Sequence, residues 1–125
     1  MRKKILVIDD EEILTKTFAH LLSRLSYDVL VASRPEDAIT MVEEENFDLV
    51  LCDIRMPGKN GVETMMEIQS LMSSKGRKPV PVIFLTGFAD NQTEQKAQAL
   101  NPVAYIFKPF DTPKLLQVIK STLNT

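Results

Sequence analysis

Four short stretches of the chain are almost continuous in β-branched and large apolar residues, and each is followed at once by a polar side chain. Ile5 to Ile8 runs into Asp9, Leu49 to Cys52 into Asp53, Val80 to Leu85 into Thr86, and Ala104 to Phe107 into Lys108. Apolar runs without alternation are the mark of strands buried on both faces. A fifth run, Asp28 to Ala32, is shorter and mixed, as an edge strand would be. Pro81 falls near the start of its run, where a missing N–H harms the ladder least.

Between these runs the apolar spacing changes to that of helices. Ile13, Leu14, Thr17, Phe18, Leu21, Leu22 and Leu25 recur on one face of a first helix. Ala38, Ile39 and Val42 mark a second after Pro35, and Val62, Met65, Ile68 and Met72 a third after Gly61. The polar stretch Asn91 to Ala99 gives the weakest helical signal. Leu115, Leu116, Ile119 and Leu123 mark the last helix, with Pro113 in its first turn and Thr112 before it held out of helical geometry. Strand and helix thus alternate five times, without repeats or linkers, which predicts an α/β fold with a parallel sheet covered on both faces. In such folds ligands bind beyond the carboxyl ends of the strands.

Composition narrows the function classes. The 125 residues carry 15 basic and 17 acidic side chains, a net charge of −2, which suits one soluble domain spanning 1–125 and leaves no room for a second core. Lys and Arg are spread along the chain, with no basic stripe for nucleic acid. The single cluster, Lys75 to Lys78, reads as a solvated loop. Cys52 is the only cysteine, excluding an internal disulfide and fitting a cytoplasmic setting. Ile5 to Ile8 is too short for a signal peptide, and no apolar run approaches the roughly 18 residues of a membrane span.

The polar residues at the strand ends carry the chemistry. Asp9, Asp10 and Asp53 converging on one sheet edge would repel one another unless a cation were present, and hard carboxylate ligands suit Mg2+. A lysine and a hydroxyl beside such a site, Lys108 and Thr86, are what a phosphoryl group needs. No Gly-rich phosphate loop follows the first strand, which disfavours free nucleotide. A carboxylate can itself be the nucleophile and form an aspartyl phosphate, and Asp53, at the end of a buried strand, is the best placed.

Taken in order, Asp9-Asp10, then Asp53-Ile54-Arg55-Met56-Pro57-Gly58-Lys59-Asn60-Gly61, then Thr86-Gly87, then Lys108-Pro109-Phe110 resembles the receiver domain of bacterial two-component response regulators, chemotaxis regulators among them. The resemblance implies a flavodoxin-like, doubly wound (βα)5 fold with strand order 2-1-3-4-5. It implies that Asp53 accepts a phosphoryl group from a histidine kinase or histidine phosphotransfer protein. Asp10 and Asp53 would ligate Mg2+ directly, Asp9 through water, and the backbone carbonyl of Arg55 would complete the set. Lys108 would pair with the phosphoryl oxygens, Thr86 would turn inward to bond them, and Tyr105 would follow from an outer to an inner rotamer, a population shift driven by local charge. A downstream protein would read the fourth helix, fifth strand and fifth helix, with no direct nucleic-acid or membrane contact.

Each residue also has a plainer reading. Asp9 and Asp10 suit the N-terminus of the first helix, and Gly58 and Gly61 suit turns. Tyr105 alone would be core with its hydroxyl at the surface, Met65, Met66 and Met72 read as core, and His20 as solvated. Gly87 stands where the family more often has alanine, leaving room for the phosphoryl group and freedom in a moving loop. Arg55 and Phe88 flank the acyl phosphate in the family pattern, and bulky Phe88 is expected to hinder water and lengthen the phosphorylated lifetime. Asn101-Pro102-Val103-Ala104 departs from the pattern used for dimerisation, so a monomer or weak dimer is expected. Ile13, Leu14, Thr17, Pro109 and Phe110 form either a kinase-docking patch or, for Ile13 and Leu14, partly buried core.

The expected function is a signalling receiver rather than an enzyme acting on a small molecule, one that assists its own phosphorylation and autodephosphorylation. A Mg2+-dependent phosphohydrolase of the haloacid-dehalogenase kind would want an aspartate where Arg55 stands. The last helix ends close to Thr125, so the chain is expected to act either alone through a partner or as the N-terminal receiver of a larger regulator or hybrid kinase.

Overall fold

The computed structural model describes residues 2–87 and 90–124. Five strands, β1 (Lys4–Ile8), β2 (Asp28–Ala32), β3 (Leu49–Asp53), β4 (Val82–Thr86) and β5 (Ala104–Phe107), alternate with five helices, α1 (Glu12–Arg24), α2 (Pro35–Glu44), α3 (Gly61–Ser74), α4 (Asn91–Ala99) and α5 (Thr112–Leu123). The sheet is parallel throughout, as the alternation of strands and helices predicts, and its order β2-β1-β3-β4-β5 is the one the family resemblance implies. Because side chains alternate across a strand, the central strands feed two cores. Leu6, Ile8, Val50, Cys52 and Phe84 pack with Val42, Val62, Met65 and Ile68 of α2 and α3. Ile5, Val7, Leu49, Leu51, Ile83 and Leu85 pack with Phe18 and Leu22 of α1 and Leu115 and Ile119 of α5.

Local chemistry sets the helix starts. At α3, Asn60 and Glu63 form a reciprocal capping box, Glu63 N–H donating to Asn60 Oδ1 at 2.9 Å and Asn60 N–H to Glu63 Oε1 at 3.0 Å. Asp90 caps α4 through the Thr93 N–H at 2.7 Å. Asp111 accepts from the Lys114 N–H at 3.3 Å, which starts α5 at Thr112 and so brings Thr112 into the helix despite the following proline. Lys75 to Lys78 is an exposed loop, with Gly76 at φ +68°.

Three other expectations are corrected. β4 begins at Val82 rather than Val80, because the Val80 backbone is taken by the Gln69 side chain, which donates to its carbonyl at 2.8 Å and accepts from its N–H at 3.0 Å. β5 is the second edge of the sheet and is not buried on both faces, so Phe107 is 56% exposed. Ile13 is 84% exposed and forms no part of the core, whereas Leu14 packs against it. Met65 and Met72 are buried while Met66 points outward, and His20 is exposed.

Phe110, just past β5, stacks on Phe18 of α1 with ring centroids 5.5 Å apart and planes inclined by 8°. The chain leading to it includes a cis Lys108-Pro109 peptide bond.

Candidate functional site

Parallel strands of similar length deliver their last residues to one edge. Asp9 N–H bonds to the Ala32 carbonyl at 3.1 Å, Ile54 N–H to Leu85 at 3.1 Å, and Lys108 N–H to Thr86 at 2.7 Å. The ladder thereby holds Asp9, Asp53, Thr86 and Lys108 in a row across β1, β3, β4 and β5. Asp9, Asp53 and Thr86 are buried, Asp10 is exposed, and Lys108 is half-buried.

Asp9, Asp10 and Asp53 each bring a carboxylate oxygen within 4.8 Å of the other two. The Lys108 Nζ lies 3.4 Å from Asp53 Oδ1, 3.4 Å from Asp9 Oδ2 and 3.3 Å from Glu11 Oε1. One ammonium thus serves three carboxylates. Burial pushes the Asp53 carboxyl up to about 6, with the neighbouring Asp9 charge adding to the rise and Lys108 opposing it. Burial raises Asp9 as well, against the Glu11 N–H that donates to its Oδ1 at 2.9 Å. For Lys108, burial favours the neutral amine, but the charges of Asp9 and Asp53 and the bond to Glu11 outweigh it and raise the pKa.

The loop after β3 is shaped by glycine. Gly58 takes φ +78°, the left-handed turn expected of it. Gly61 is not a turn residue but the first residue of α3, and its N–H bonds to the Ile54 carbonyl at 2.8 Å. A Cβ at Gly61 would overlap the Asp53 carbonyl oxygen and press on Cys52 Sγ, so only glycine lets α3 approach the end of β3 this closely. A methyl group at Gly87 would meet no described atom within 4 Å, so sterics do not demand glycine there. Pro57 and Pro109 are exposed in the flanking loops. The exposed Arg55 lines a shallow cleft with Pro57, Asn60, Asp90 and Thr93 beside the acids.

Tyr105 departs from the plainer expectation. Its hydroxyl is buried, not at the surface, and has no hydrogen-bond partner among the described residues. The ring lies between Phe84, at 6.4 Å, and Phe107, edge-on at 5.3 Å. Burial raises its pKa, with smaller contributions from Glu94 and Asp90. Phe88 lies outside the described residues. Asp9 does hold a backbone N–H near α1, as a capping acid would, yet it also joins the cluster, so the two readings coincide in one side chain. Sequence reasoning missed Glu11, which follows Asp9-Asp10 directly. Its signal was a further acid within reach of a strand-end lysine.

This arrangement can bind a hard cation, present a buried carboxylate oxygen as a nucleophile, and offer an ammonium and a hydroxyl to the anion formed. Residues 5–120 match the family model described as the response regulator receiver domain. The transcriptional regulatory protein ZraR of Salmonella typhimurium is 33% identical over 119 residues, which cover 95% of this chain and 26% of that protein. The chain thus spans about a quarter of the length of that curated relative. A CheY-like response regulator receiver domain protein from Methanospirillum hungatei has a TM-score of 0.89 and 27% identity, over 99% of this chain and 95% of that one. The response regulator TrrA from Thermotoga maritima, solved in complex with Mg2+ and BeF, has a TM-score of 0.80 and 28% identity, over 96% of this chain and 98% of that one.

Proposed function

Because the chain belongs to the receiver domain family of two-component response regulators, we propose that Asp53 is its phosphoacceptor and that 1–125 act as one receiver unit. One observation carries the assignment: a buried carboxylate at the end of β3 faces Lys108 Nζ at 3.4 Å and two further acids. The phosphoryl donor is a phosphohistidine of a kinase or phosphotransfer protein. An Asp53 carboxylate oxygen attacks phosphorus, the new O–P bond forms as the N–P bond breaks, and the electron pair returns to the imidazole nitrogen.

The donor set fits Mg2+. Three carboxylate oxygens within 4.8 Å of one another are hard ligands, and they face the single ammonium of Lys108. Asp10 and Asp53 would hold the ion directly, Asp9 through water, and Arg55 through its backbone carbonyl. When bound, the ion supplies neutralisation of the charge that gathers on the phosphoryl oxygens. Lys108 takes the remaining phosphoryl oxygens as charge-assisted partners. Thr86, at the end of β4, presents its hydroxyl to the same group.

Tyr105 gives the switch its second position. Among the described residues the buried Tyr105 hydroxyl has no partner, which is costly, so a rearrangement of Thr86 that offers one favours the new state. The change is read on α4, β5 and α5 by a downstream protein, and the likeness to a transcriptional regulatory protein supports a read-out in transcription. No helix among the described residues is long and apolar enough to cross a membrane, and a cytoplasmic setting forms part of the proposal.

Incubation with acetyl phosphate or phosphoramidate, with and without Mg2+, followed by intact mass, tests this reading. The expected result is one metal-dependent phosphoryl adduct on the wild type and none on Asp53→Ala. An unmodified wild type would sink the phosphoacceptor reading, and rapid phosphate release from unrelated phosphoesters would favour a hydrolase.

A further inference from the structure

We propose that Glu11 is a positioning residue that holds Lys108 away from the phosphoryl position and must release it when Asp53 is modified. The inference rests on the phosphoacceptor reading above and concerns a residue outside that mechanism.

The first observation is the length of the three contacts to Lys108 Nζ, 3.3 Å to Glu11 and 3.4 Å to each of Asp9 and Asp53. Optimal bonds from an ammonium to a carboxylate are about 2.7–2.9 Å. An ammonium has three protons and here three claimants, so it sits in a compromise position satisfying none of them fully. Asp9 and Asp53 lie inside the cluster at 2% and 4% exposure, whereas Glu11 is 60% exposed and pulls from the rim.

The second observation comes from the helix starts. Asn60, Asp90 and Asp111 stand at the N-cap positions of α3, α4 and α5, and each accepts a backbone N–H of its helix. Glu11 stands at the N-cap of α1 in extended geometry and makes no such bond. Its side chain goes to Lys108 instead, while its own N–H goes to Asp9. Arg34 at the N-cap of α2 makes no such bond either, so what marks Glu11 is its reach to Lys108, which ties the end of β5 to the end of β1.

A phosphoryl group on Asp53 brings about two negative charges to the place where Lys108 already leans. Glu11 is then the claimant that loses its partner, since it is the most exposed of the three and water takes the partner's place. Until then its pull is a tax on every state in which Lys108 faces the phosphoryl oxygens.

Beryllofluoride, which mimics a phosphoryl group on a carboxylate without a covalent step, gives the test. Its affinity at saturating Mg2+ is measured by fluorine NMR for the wild type, Glu11→Gln and Glu11→Asp, with the Mg2+ affinity of each measured separately. The Lys108 ammonium resonance is followed in lysine-labelled protein without either ligand. Glu11→Gln is expected to bind beryllofluoride about two- to fivefold more tightly, the range of a partly exposed ion pair, and to shift the Lys108 resonance. Glu11→Asp, one methylene too short to span the gap, should follow Glu11→Gln although it keeps the charge. A Glu11→Gln affinity equal to that of the wild type, or a Glu11→Asp affinity equal to that of the wild type, would overturn the proposal while leaving the phosphoacceptor reading intact. Failure of the wild type to bind beryllofluoride at all would overturn both.

Discussion

The two edges of the sheet use the same residue types to opposite ends. At the amino edge Lys4 leads into β1, and its Nζ meets Glu45 at 2.6 Å while its N–H donates to Asp48 Oδ2 at 2.7 Å. Arg2 and Asp28 pair loosely at 3.6 Å, both exposed. Each charge there has a partner close by and water around it, and the bond to Glu45 raises the Lys4 pKa. At the carboxyl edge, Asp9, Asp53 and Glu11 share one lysine at 3.3–3.4 Å, and two of the acids are buried. The difference teaches where the fold tolerates unfavourable charge. The amino edge is balanced by its own pairs, and the carboxyl edge leaves its acids to a single lysine, as the proposed cation and phosphoryl site requires.

The largest test of this contrast is steric. Gly61→Ala at the carboxyl edge sets a methyl group against the Asp53 carbonyl, a backbone atom that cannot step aside. It should cost about 3 kcal/mol or more in urea unfolding, and a loss under 1 kcal/mol would show that α3 has freedom to withdraw. Next, Mg2+ at a hundredfold excess over its dissociation constant should stabilise the wild type by about 2.7 kcal/mol by mass action. Asp53→Asn should lose most of that gain in the same titration.

The pH dependence follows with its sign. Asp53 titrates near 6 in the folded protein against 3.8 for a free carboxyl, so between those values the folded state holds more protons than the unfolded one. Stability of the metal-free protein should therefore fall as pH rises from about 4 to about 6, and the loss remains above that. Asp53→Asn removes the charge and should stabilise the metal-free protein by about 3 kcal/mol at pH 7. Thermal midpoints between pH 4 and pH 8 would check this, a decrease in the variant being the contrary result. Smallest of all, Lys4→Met at the amino edge should leave the midpoint close to that of the wild type, since exposed pairs contribute little. A large drop there would erase the contrast between the edges.

The central strands were legible because burial on both faces leaves an uninterrupted apolar run, as in Leu49 to Cys52 of β3. The four strand-end residues were legible for the same reason, a polar side chain being conspicuous directly after such a run. What the chain did not disclose depends on contacts distant in sequence. The late start of β4 is set by Gln69 on α3, and the exposure of Phe107 by the edge position of β5, which pairs only with β4 among the described residues. Ile13 shares the apolar spacing of α1 but lies on its first turn, beyond the cover of the sheet. Gly61 reads as a turn glycine until the Asp53 carbonyl is seen beneath it. Glu11 went unnoticed because its partner, Lys108, is 97 residues away.

The Phe18 and Phe110 rings, nearly parallel at 8° with centroids 5.5 Å apart, form the seam between α1 and the segment that carries Lys108. Parallel aromatic faces resist separation, which exposes both to water, far more than lateral slip, which keeps them covered. The lysine-bearing segment is therefore expected to yield more readily along one plane than across it. A displacement of α1 along that plane is absorbed in the stack, and one that lifts α1 off the sheet is transmitted to the end of β5.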